Sequence, residues 1–378
     1  DDSSIILFVV GQKPLADSGF KIVGAHTDSP GLRIRPNGAQ VSNGFAQLGV
    51  EIYGGPILAT FTDRDLSLAG RVSYSDGQGH IAHQRIRFDQ SLLRIPNLAI
   101  HMNRSVNDEG LKLHKQTELL PLFAQLTQEQ LPKLYFMQLL VQATNLDVDQ
   151  ILSWDLAVYD TQKGTFWGAA NEFYANSQID NLASCHAGLQ ALLDEQVLNQ
   201  SQDTLVCAFF DHEEVGSESH IGAAGSFLSD CLQRITMALN LDREYNARAL
   251  ANSFLISADM AHAYHPNFPN AYDANHKVFV NQGPVIKSNA NRRYSSESIS
   301  IAQFIRWCQD ANVPYQHYSH RNDLACGSTI GPLASAKLGI RSIDIGCPMW
   351  AMHSIRESAG VHDHDYLIKV LKQFFLSA

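Results

Sequence analysis

The sequence has no Cys-x-x-Cys pair, and its six cysteines lie far apart along 378 residues. This spacing excludes a zinc ribbon and a disulfide framework, so we expect a reducing compartment, the cytoplasm. No run approaches 18 uninterrupted apolar residues, and we therefore expect no segment that spans a bilayer. The cysteines are Cys185, Cys207, Cys231, Cys308, Cys326 and Cys347.

Basic residues are also scarce. Lys and Arg number 28 against 38 Asp and Glu, a net charge of -10, which argues against nucleic acid or an anionic membrane as a partner. Hydrophobic residues make up 45% of the chain, enough to bury the cores of about two or three domains. The chain begins at Asp1 and enters a strand-like run at once, so we expect that a segment precedes it.

Three common catalytic motifs are missing. There is no Gly-x-Ser-x-Gly elbow of a serine hydrolase and no Gly-Lys pair of a phosphate-binding loop. The run His212-Glu213-Glu214 is not a zincin helix, because Gly216 stands where the second histidine is required. The chemistry must therefore come from residues that are distant in the sequence.

The pattern of strands and helices predicts one α/β domain with a mostly parallel sheet, interrupted by a β-rich insertion. Residues 1–36 and 166–378 alternate strand and helix and form the two parts of this domain, whereas residues 37–165 show short runs and many turn residues. The insertion also holds a polar, helix-permissive stretch, Leu113–Val148. The predicted strands are Ile5–Val10, Phe20–Ala25, Thr204–Phe210, Phe254–Ala258 and Ile340–Gly346, and the predicted helices are Asn181–Leu198, Ser295–Asn312 and Asp365–Leu376.

Metal-binding residue types follow four of these strands. His26 and Asp28 follow the second, Asp211 to Glu214 the third, Asp259 the fourth, and His353 comes shortly after the last. Ligands bind at the carboxyl ends of strands in open parallel sheets. Asp180 adds a carboxylate directly before a predicted helix.

Carboxylates gathered in this way repel one another unless cations hold them. Oxygen and imidazole ligands without thiolate suit Zn²⁺, Mn²⁺ or Co²⁺. Two histidines and three carboxylates exceed the needs of one catalytic zinc and match two metals that share a carboxylate and a water. His26 and Asp28, two apart on an extended segment, project to the same side, so Asp28 could fix the imidazole tautomer. Of the adjacent Glu213 and Glu214, one could bind metal and the other act as a general base.

Ordinary structural roles compete with this interpretation. An isolated His or Asp after a strand is usually a turn or cap residue, and a Glu-Glu pair is usually solvated. Only the joint pattern favours a metal site. The run His362-Asp363-His364-Asp365 precedes the last predicted helix, and helix capping is its expected role.

The chain resembles the M18 metallopeptidases, and within them the aspartyl aminopeptidases. The matching segments run in family order along nearly the whole chain. They are GAHTDSPGLRIRP (24–36), YGGPILATFTDRDLSLAGRV (53–72), IPNLAIHMN (95–103), NSQIDNLASC (176–185), FFDHEEVGSES (209–219), ISADMAHAYHPN (256–267), GPVIKSNANRRY (283–294), NDLACGSTIGP (322–332) and AMHSIRE (351–357).

The resemblance implies a binuclear zinc peptidase domain with an inserted lid and dimerisation domain. By position, Asp180 would bridge the two metals, Glu214 and His353 would complete one site, and His26 and Asp259 the other. Glu213 would be the general base and Asp28 would orient His26.

The resemblance also implies three substrate-binding residues. His101 would reach into the active site of a neighbouring subunit, Lys287 would pair with an acidic side chain, and Tyr294 would line the pocket, with His262 and His265 nearby. We therefore expect a homo-oligomeric aminopeptidase, built from dimers into a dodecamer, that removes N-terminal Asp or Glu from small peptides. The alternatives are a preference for neutral residues, a carboxypeptidase or deacylase activity, and a catalytically idle assembly protein that keeps metals for structure.

Overall fold

A computed structural model of the chain describes residues 3–127 and 130–377. The chain divides into two compact units. The first comprises Asp1–Ser29, Thr165–Met352 and Glu357–Ala378, and the second comprises Pro30–Gly164 and His353–Arg356. No helix in the described part of the chain has the length and apolar character needed to cross a membrane.

The first unit is built on a seven-stranded sheet, which confirms the predicted α/β class. Its four central strands are parallel, and the outer strands include antiparallel pairings. In spatial order the strands are Ile5–Val9, Thr204–Phe210, Phe20–His26, Phe254–Ala258, Arg341–Gly346, Val285–Ser288 and Gln316–Ser319.

The central strands are apolar throughout because both faces of the sheet are covered. Along Thr204–Phe210, alternate residues enter two different cores. Leu205, Cys207 and Phe209 pack on one face, and Val206, Ala208 and Phe210 pack on the other. The helices that cover these faces are Leu15–Ser18, Ile179–Leu192, Glu195–Gln200, Phe227–Ala238, Arg243–Ala251, Ser298–Asp310, Ile330–Leu338 and Val361–Leu376.

A second sheet in the first unit has five short strands. In spatial order they are Ala261–His262, Pro348–Trp350, Glu357–Gly360, Phe173–Asn176 and Thr165–Trp167. The strand Ala261–His262 follows the central strand Phe254–Ala258, and Pro348–Trp350 follows Arg341–Gly346. Short connections therefore join these strands of the two sheets.

Two predictions about helices are wrong in detail. The predicted helix Asn181–Leu198 is two helices, Ile179–Leu192 and Glu195–Gln200, because Asp194 caps the second one by accepting the N–H groups of Gln196 and Val197. The last helix begins at Val361, without a side-chain cap.

Asp363 has a different role from the predicted capping. It is buried, and its carboxylate accepts the backbone N–H groups of Asn281 and Gly283 at 2.5 and 2.8 Å. Asp363 thus fastens the loop before the strand Val285–Ser288 to the start of the last helix. Burial raises the pKa of Asp363 to about 7, against the opposing effect of these hydrogen bonds.

The second unit contains a six-stranded antiparallel sheet. In spatial order its strands are Ile81–Arg87, Leu66–Ser75, Ile151–Asp160, Gly31–Ser42, Phe45–Tyr53 and Leu122–Gln125. The stretch predicted as helix-permissive contains the last of these strands and the helix Pro132–Thr144, whose Phe136 and Leu140 join the core of this unit. The second unit also contains a short helix, Val106–Glu109, and two 3-10 helices, Leu58–Phe61 and Val148–Gln150.

Candidate metal centre

The candidate centre lies where three parallel strands of the large sheet end side by side. Phe20–His26 runs between Thr204–Phe210 and Phe254–Ala258, and His26 pairs with Phe210 across the ladder. Asp259 directly follows one neighbouring strand, and Glu213 comes three residues after the other. The parallel register therefore brings together residues that are more than 180 positions apart.

His26 is the centre of this group and is buried, with 1% exposure. Its Nε2 lies 3.5 Å from Asp180 Oδ1, 3.4 Å from Asp259 Oδ1 and 4.0 Å from Glu213 Oε2. One imidazole nitrogen thus points toward three carboxylates, an arrangement that a cation would stabilise.

Asp28 joins His26 to the Glu-Glu pair. The backbone oxygen of Asp28 lies 3.0 Å from His26 Nδ1 and its carboxylate Oδ1 lies 3.5 Å away. The two carboxylate oxygens accept the backbone N–H groups of Glu213 and Glu214, each at 3.1 Å. The backbone carbonyl of Asp28 is therefore its nearer contact with the imidazole, and its carboxylate holds the loop that carries both glutamates.

One three-residue group has the geometry of a metal site. A ligand atom from each of His26, Asp180 and Glu214 lies within 4.8 Å of the others. One nitrogen and two oxygen donors suit zinc. The backbone of Asp180 is itself held in place, since its N–H donates to Glu357 at 3.0 Å and its carbonyl accepts from Ser29 Oγ at 2.7 Å.

The pKa values of His26 and Glu213 are both raised, and carboxylates contribute to both shifts. Burial lowers the pKa of His26, but hydrogen bonds to Asp180, Asp259 and Asp28 outweigh it and hold this pKa well above its ordinary value. Burial raises the pKa of Glu213 to about 8, and nearby carboxylates add to the effect while His26 opposes it. A bound divalent cation would favour the ionised carboxylates and reverse both shifts.

Two predicted substrate residues lie beside the carboxylate cluster, whereas the predicted metal ligand His353 and the predicted substrate residue His101 belong to the second unit. Lys287 is buried, with its Nζ 3.5 Å from Asp259 Oδ2 and 5.6 Å from the centre of the Tyr294 ring. Lys287 and Tyr294 thus adjoin the carboxylate cluster. His353 and His101 belong to the second unit, where His353 Nδ1 is 3.1 Å from the carbonyl of Gly55 and His101 is exposed.

A family model described as "Aminopeptidase I zinc metalloprotease (M18)" matches residues 1–375. The chain belongs to the M18 family of aminopeptidases. A relative named "Probable M18 family aminopeptidase 2" from Pseudomonas paraeruginosa is 46% identical, with coverage of 100% of this chain and 86% of the relative.

Solved structures agree with this M18 assignment. A chain from the cryo-EM structure of the Ape4 and Nbr1 complex superposes with a TM-score of 0.94 at 39% identity, covering 99% of this chain and 74% of that one. Chaetomium thermophilum mApe1 gives a TM-score of 0.86 at 30% identity, with 99% and 84% covered. The Saccharomyces cerevisiae mApe1 dodecamer, at 24% identity and a TM-score of 0.84, covers 99% of this chain and 83% of its own and supports the fold.

The M18 family is a zinc family, and the donor set of His26, Asp180 and Glu214 fits that metal. Sequence reasoning missed two residues that hold Asp180 in place, Ser29 and Glu357. Ser29 and Glu357 lie in the segments 24–36 and 351–357, which resemble the M18 family. That resemblance was the one signal that could have identified them. Glu357 is 177 positions from Asp180, and no local pattern joins the two.

We expect zinc to stabilise this M18 chain more strongly at high pH. Without metal, the raised pKa of Glu213 means that stability is lost as pH rises from 4.5 towards 8. The contribution of His26 is complete below pH 6.5 and is lost as pH rises through its higher folded-state pKa. A metal that binds the deprotonated groups removes both losses.

The measurement is the melting temperature of chelated and zinc-loaded protein at about pH 6 and about pH 8.5. The increase produced by zinc should be larger at the higher pH. An increase that is equal at both values, or larger at the lower pH, would contradict this account of the carboxylate cluster.

Proposed function

We propose that this M18 aminopeptidase removes N-terminal Asp or Glu from small peptides. The observation that carries the proposal is the buried Lys287, whose Nζ lies 3.5 Å from Asp259 Oδ2 in the carboxylate cluster. A buried ammonium is costly unless an anion accompanies it. An acidic side chain of a substrate would supply a further anion beside Lys287.

The proposed metal ligands are five residues that hold two divalent ions, with zinc preferred and Mn²⁺ or Co²⁺ as alternatives. Asp180 would contribute to both ions. His26 with Asp259 would serve one ion, and Glu214 with His353 the other. The distances around His26 Nε2 and the group of His26, Asp180 and Glu214 support the part of this set that lies in the first unit. Ions bound there would polarise a peptide carbonyl and acidify a water.

Glu213 is the proposed general base and general acid. Its carboxylate lies beside the cluster, and its backbone is held by Asp28. Glu213 would take a proton from the attacking water and then deliver that proton to the leaving amine. Asp28 would act as a positioning residue for both His26 and the Glu213 backbone.

Replacing Lys287 by Met should remove the acidic preference. We expect kcat/KM for peptides with N-terminal Asp or Glu to fall by about 100-fold, and that for N-terminal Ala by less than about threefold. An acidic side chain loses an ionic partner that Ala does not have, whereas the lost contact between Lys287 and Asp259 is common to all substrates. The control is Lys369→Met, which removes an exposed lysine that lies 5.8 Å from the Tyr366 ring. Equal losses on acidic and neutral peptides would reject Lys287 as the specificity residue.

A peptide panel tests the function as a whole. The panel has N-terminal Asp, Glu, Ala, Leu and Lys, and hydrolysis is measured before chelation, after it, and after readdition of Zn²⁺, Mn²⁺ or Co²⁺. The proposal requires metal-dependent activity that is highest on Asp and Glu. Activity that is highest on Leu or Ala would instead indicate a neutral aminopeptidase, and no activity with metal present would indicate an assembly protein.

We also propose a cytoplasmic location, because the six cysteines of the described residues are all free thiols.

We further propose that the protein is a homo-oligomer built from dimers. The Saccharomyces cerevisiae mApe1 neighbour is a dodecamer, and the exposed His101 would enter the site of an adjacent subunit in such an assembly.

Gel filtration with light scattering should show a dodecamer, with peptidase activity eluting at that mass. A His101→Ala variant should keep its mass and lose activity by at least about tenfold, if His101 acts at a neighbouring site. A fully active monomer would contradict the proposed assembly.

A further inference from the structure

His320 directly follows the strand that pairs with the strand of Lys287. The strand Gln316–Ser319 runs parallel to Val285–Ser288, and the register pairs Tyr318 with Lys287. Paired residues of adjacent strands carry their side chains on the same face. His320 is two positions beyond Tyr318, and its ring lies 6.0 Å from the Tyr318 ring. Lys287 and Tyr318 therefore share one face of the sheet, and the His320 ring packs beside Tyr318 just after the strand ends.

A hydrogen bond from Tyr318 determines which nitrogen of His320 carries the proton. Tyr318 Oη lies 2.6 Å from His320 Nδ1, and burial raises the pKa of Tyr318, so the phenol keeps its proton. A phenol that donates to Nδ1 places the imidazole proton on Nε2. The His320 ring thus presents an N–H group away from Tyr318.

This Nε2 is buried and has no hydrogen-bond partner among residues 3–127 and 130–377. Buried donors are satisfied in most proteins, and a bound ligand is one source of the acceptor that this N–H lacks. Tyr318 is itself buried and packs in one apolar cluster with Tyr294. Lys287 Nζ lies 5.6 Å from the centre of the Tyr294 ring, so Tyr318 packs between the surroundings of His320 and those of Lys287.

His262 packs near the same group of side chains. Its ring lies 6.2 Å from the Tyr318 ring. The residues around Tyr318 thus include the buried Lys287 and, within the described part of the chain, a buried imidazole N–H without a partner.

A carboxylate is the ligand that matches these groups. It has two oxygens, and one can pair with an ammonium while the other accepts from an imidazole N–H. We propose that His320 is a second specificity residue, whose Nε2–H donates to the side-chain carboxylate of an N-terminal Asp or Glu beside Lys287. This inference rests on the proposed function and adds to it the residue that orients the acidic side chain.

Three variants test the inference in the zinc-loaded enzyme. His320→Leu removes the donor, His320→Gln keeps an N–H at the position of Nε2, and Tyr318→Phe removes the group that fixes the tautomer. The control is His317→Leu, on the same strand but exposed. The measurement is kcat/KM on peptides with N-terminal Asp, Glu and Ala, with melting temperature and zinc content recorded for each variant.

We expect His320→Leu to lower kcat/KM on Asp and Glu peptides by about 10–100-fold and on Ala peptides by less than about threefold. His320→Gln should recover most of the acidic activity, and Tyr318→Phe should lower the ratio of acidic to neutral activity by about three- to tenfold. If His320→Leu does not fold, this ratio in the other two variants decides the question.

Two outcomes separate this inference from the function on which it rests. A wild-type enzyme without acidic preference overturns the proposed function and the inference together. A wild-type preference that Lys287→Met abolishes, but that His320→Leu and Tyr318→Phe leave unchanged, overturns the role of His320 alone. Equal losses on Asp and Ala peptides in the His320 variants would also overturn it, because they indicate a structural role.

Discussion

Replacing Glu213 by Gln should lower kcat by at least about 1000-fold while leaving the zinc content unchanged, because general acid–base catalysis is lost and no metal ligand is removed. Gln has the shape of Glu but cannot accept a proton from water. The backbone N–H of Glu213 that donates to Asp28 is unaffected by the change. Steady-state kinetics and metal analysis of the same sample measure both effects.

The matched control for this variant is Glu218→Gln. Glu218 is exposed and lies five positions further along the same loop, so this change should leave kcat within about twofold. Retained activity in Glu213→Gln would remove Glu213 from the role of base. Loss of zinc in that variant would instead indicate that Glu213 is a ligand, and the roles of the two glutamates would then have to be exchanged.

The second large effect is expected from Asp180→Asn. Asp180 is the proposed ligand of both metals, and it is 2% exposed. The amide keeps the size of the side chain but loses its charge, so we expect less than one zinc per chain and activity at least about 1000-fold below wild type. The backbone contacts of Asp180 to Ser29 and Glu357 do not depend on the side chain.

The control here is Asp230→Asn, an exposed aspartate on the helix Phe227–Ala238. It should keep wild-type zinc content and activity. An Asp180→Asn enzyme that holds two zinc ions would show that Asp180 is not a required ligand. A loss of only one ion would assign Asp180 to a single metal rather than to both.

Sequence reasoning succeeded best where burial dictates the residue types. The strands Thr204–Phe210 and Phe254–Ala258 have the predicted ends, since a strand covered on both faces must be apolar throughout. The strand Phe20–His26 runs parallel between these two, so the carboxyl ends of the three strands place His26 near Asp259. The parallel sheet, more than any single motif, made that part of the site predictable.

The parts that escaped prediction depend on contacts between distant residues. The carboxylate of Asp28 lies 3.5 Å from His26 Nδ1, but it also accepts hydrogen bonds from the Glu213 and Glu214 backbone, 185 and 186 positions away, which no local pattern indicated. The partner of the Asp363 carboxylate, a loop about 80 positions earlier, was likewise invisible to the local pattern, which suggested a helix cap. Local sequence shows which groups are available and cannot show which distant backbone groups they will bind.

The proposed two-metal centre can be tested by zinc-edge anomalous diffraction from crystals of the protein purified with zinc. We expect two anomalous peaks per chain, both bordered by the Asp180 carboxylate, with His26 and Asp259 at one and Glu214 at the other. A single peak, or peaks remote from Asp180 and His26, would contradict it.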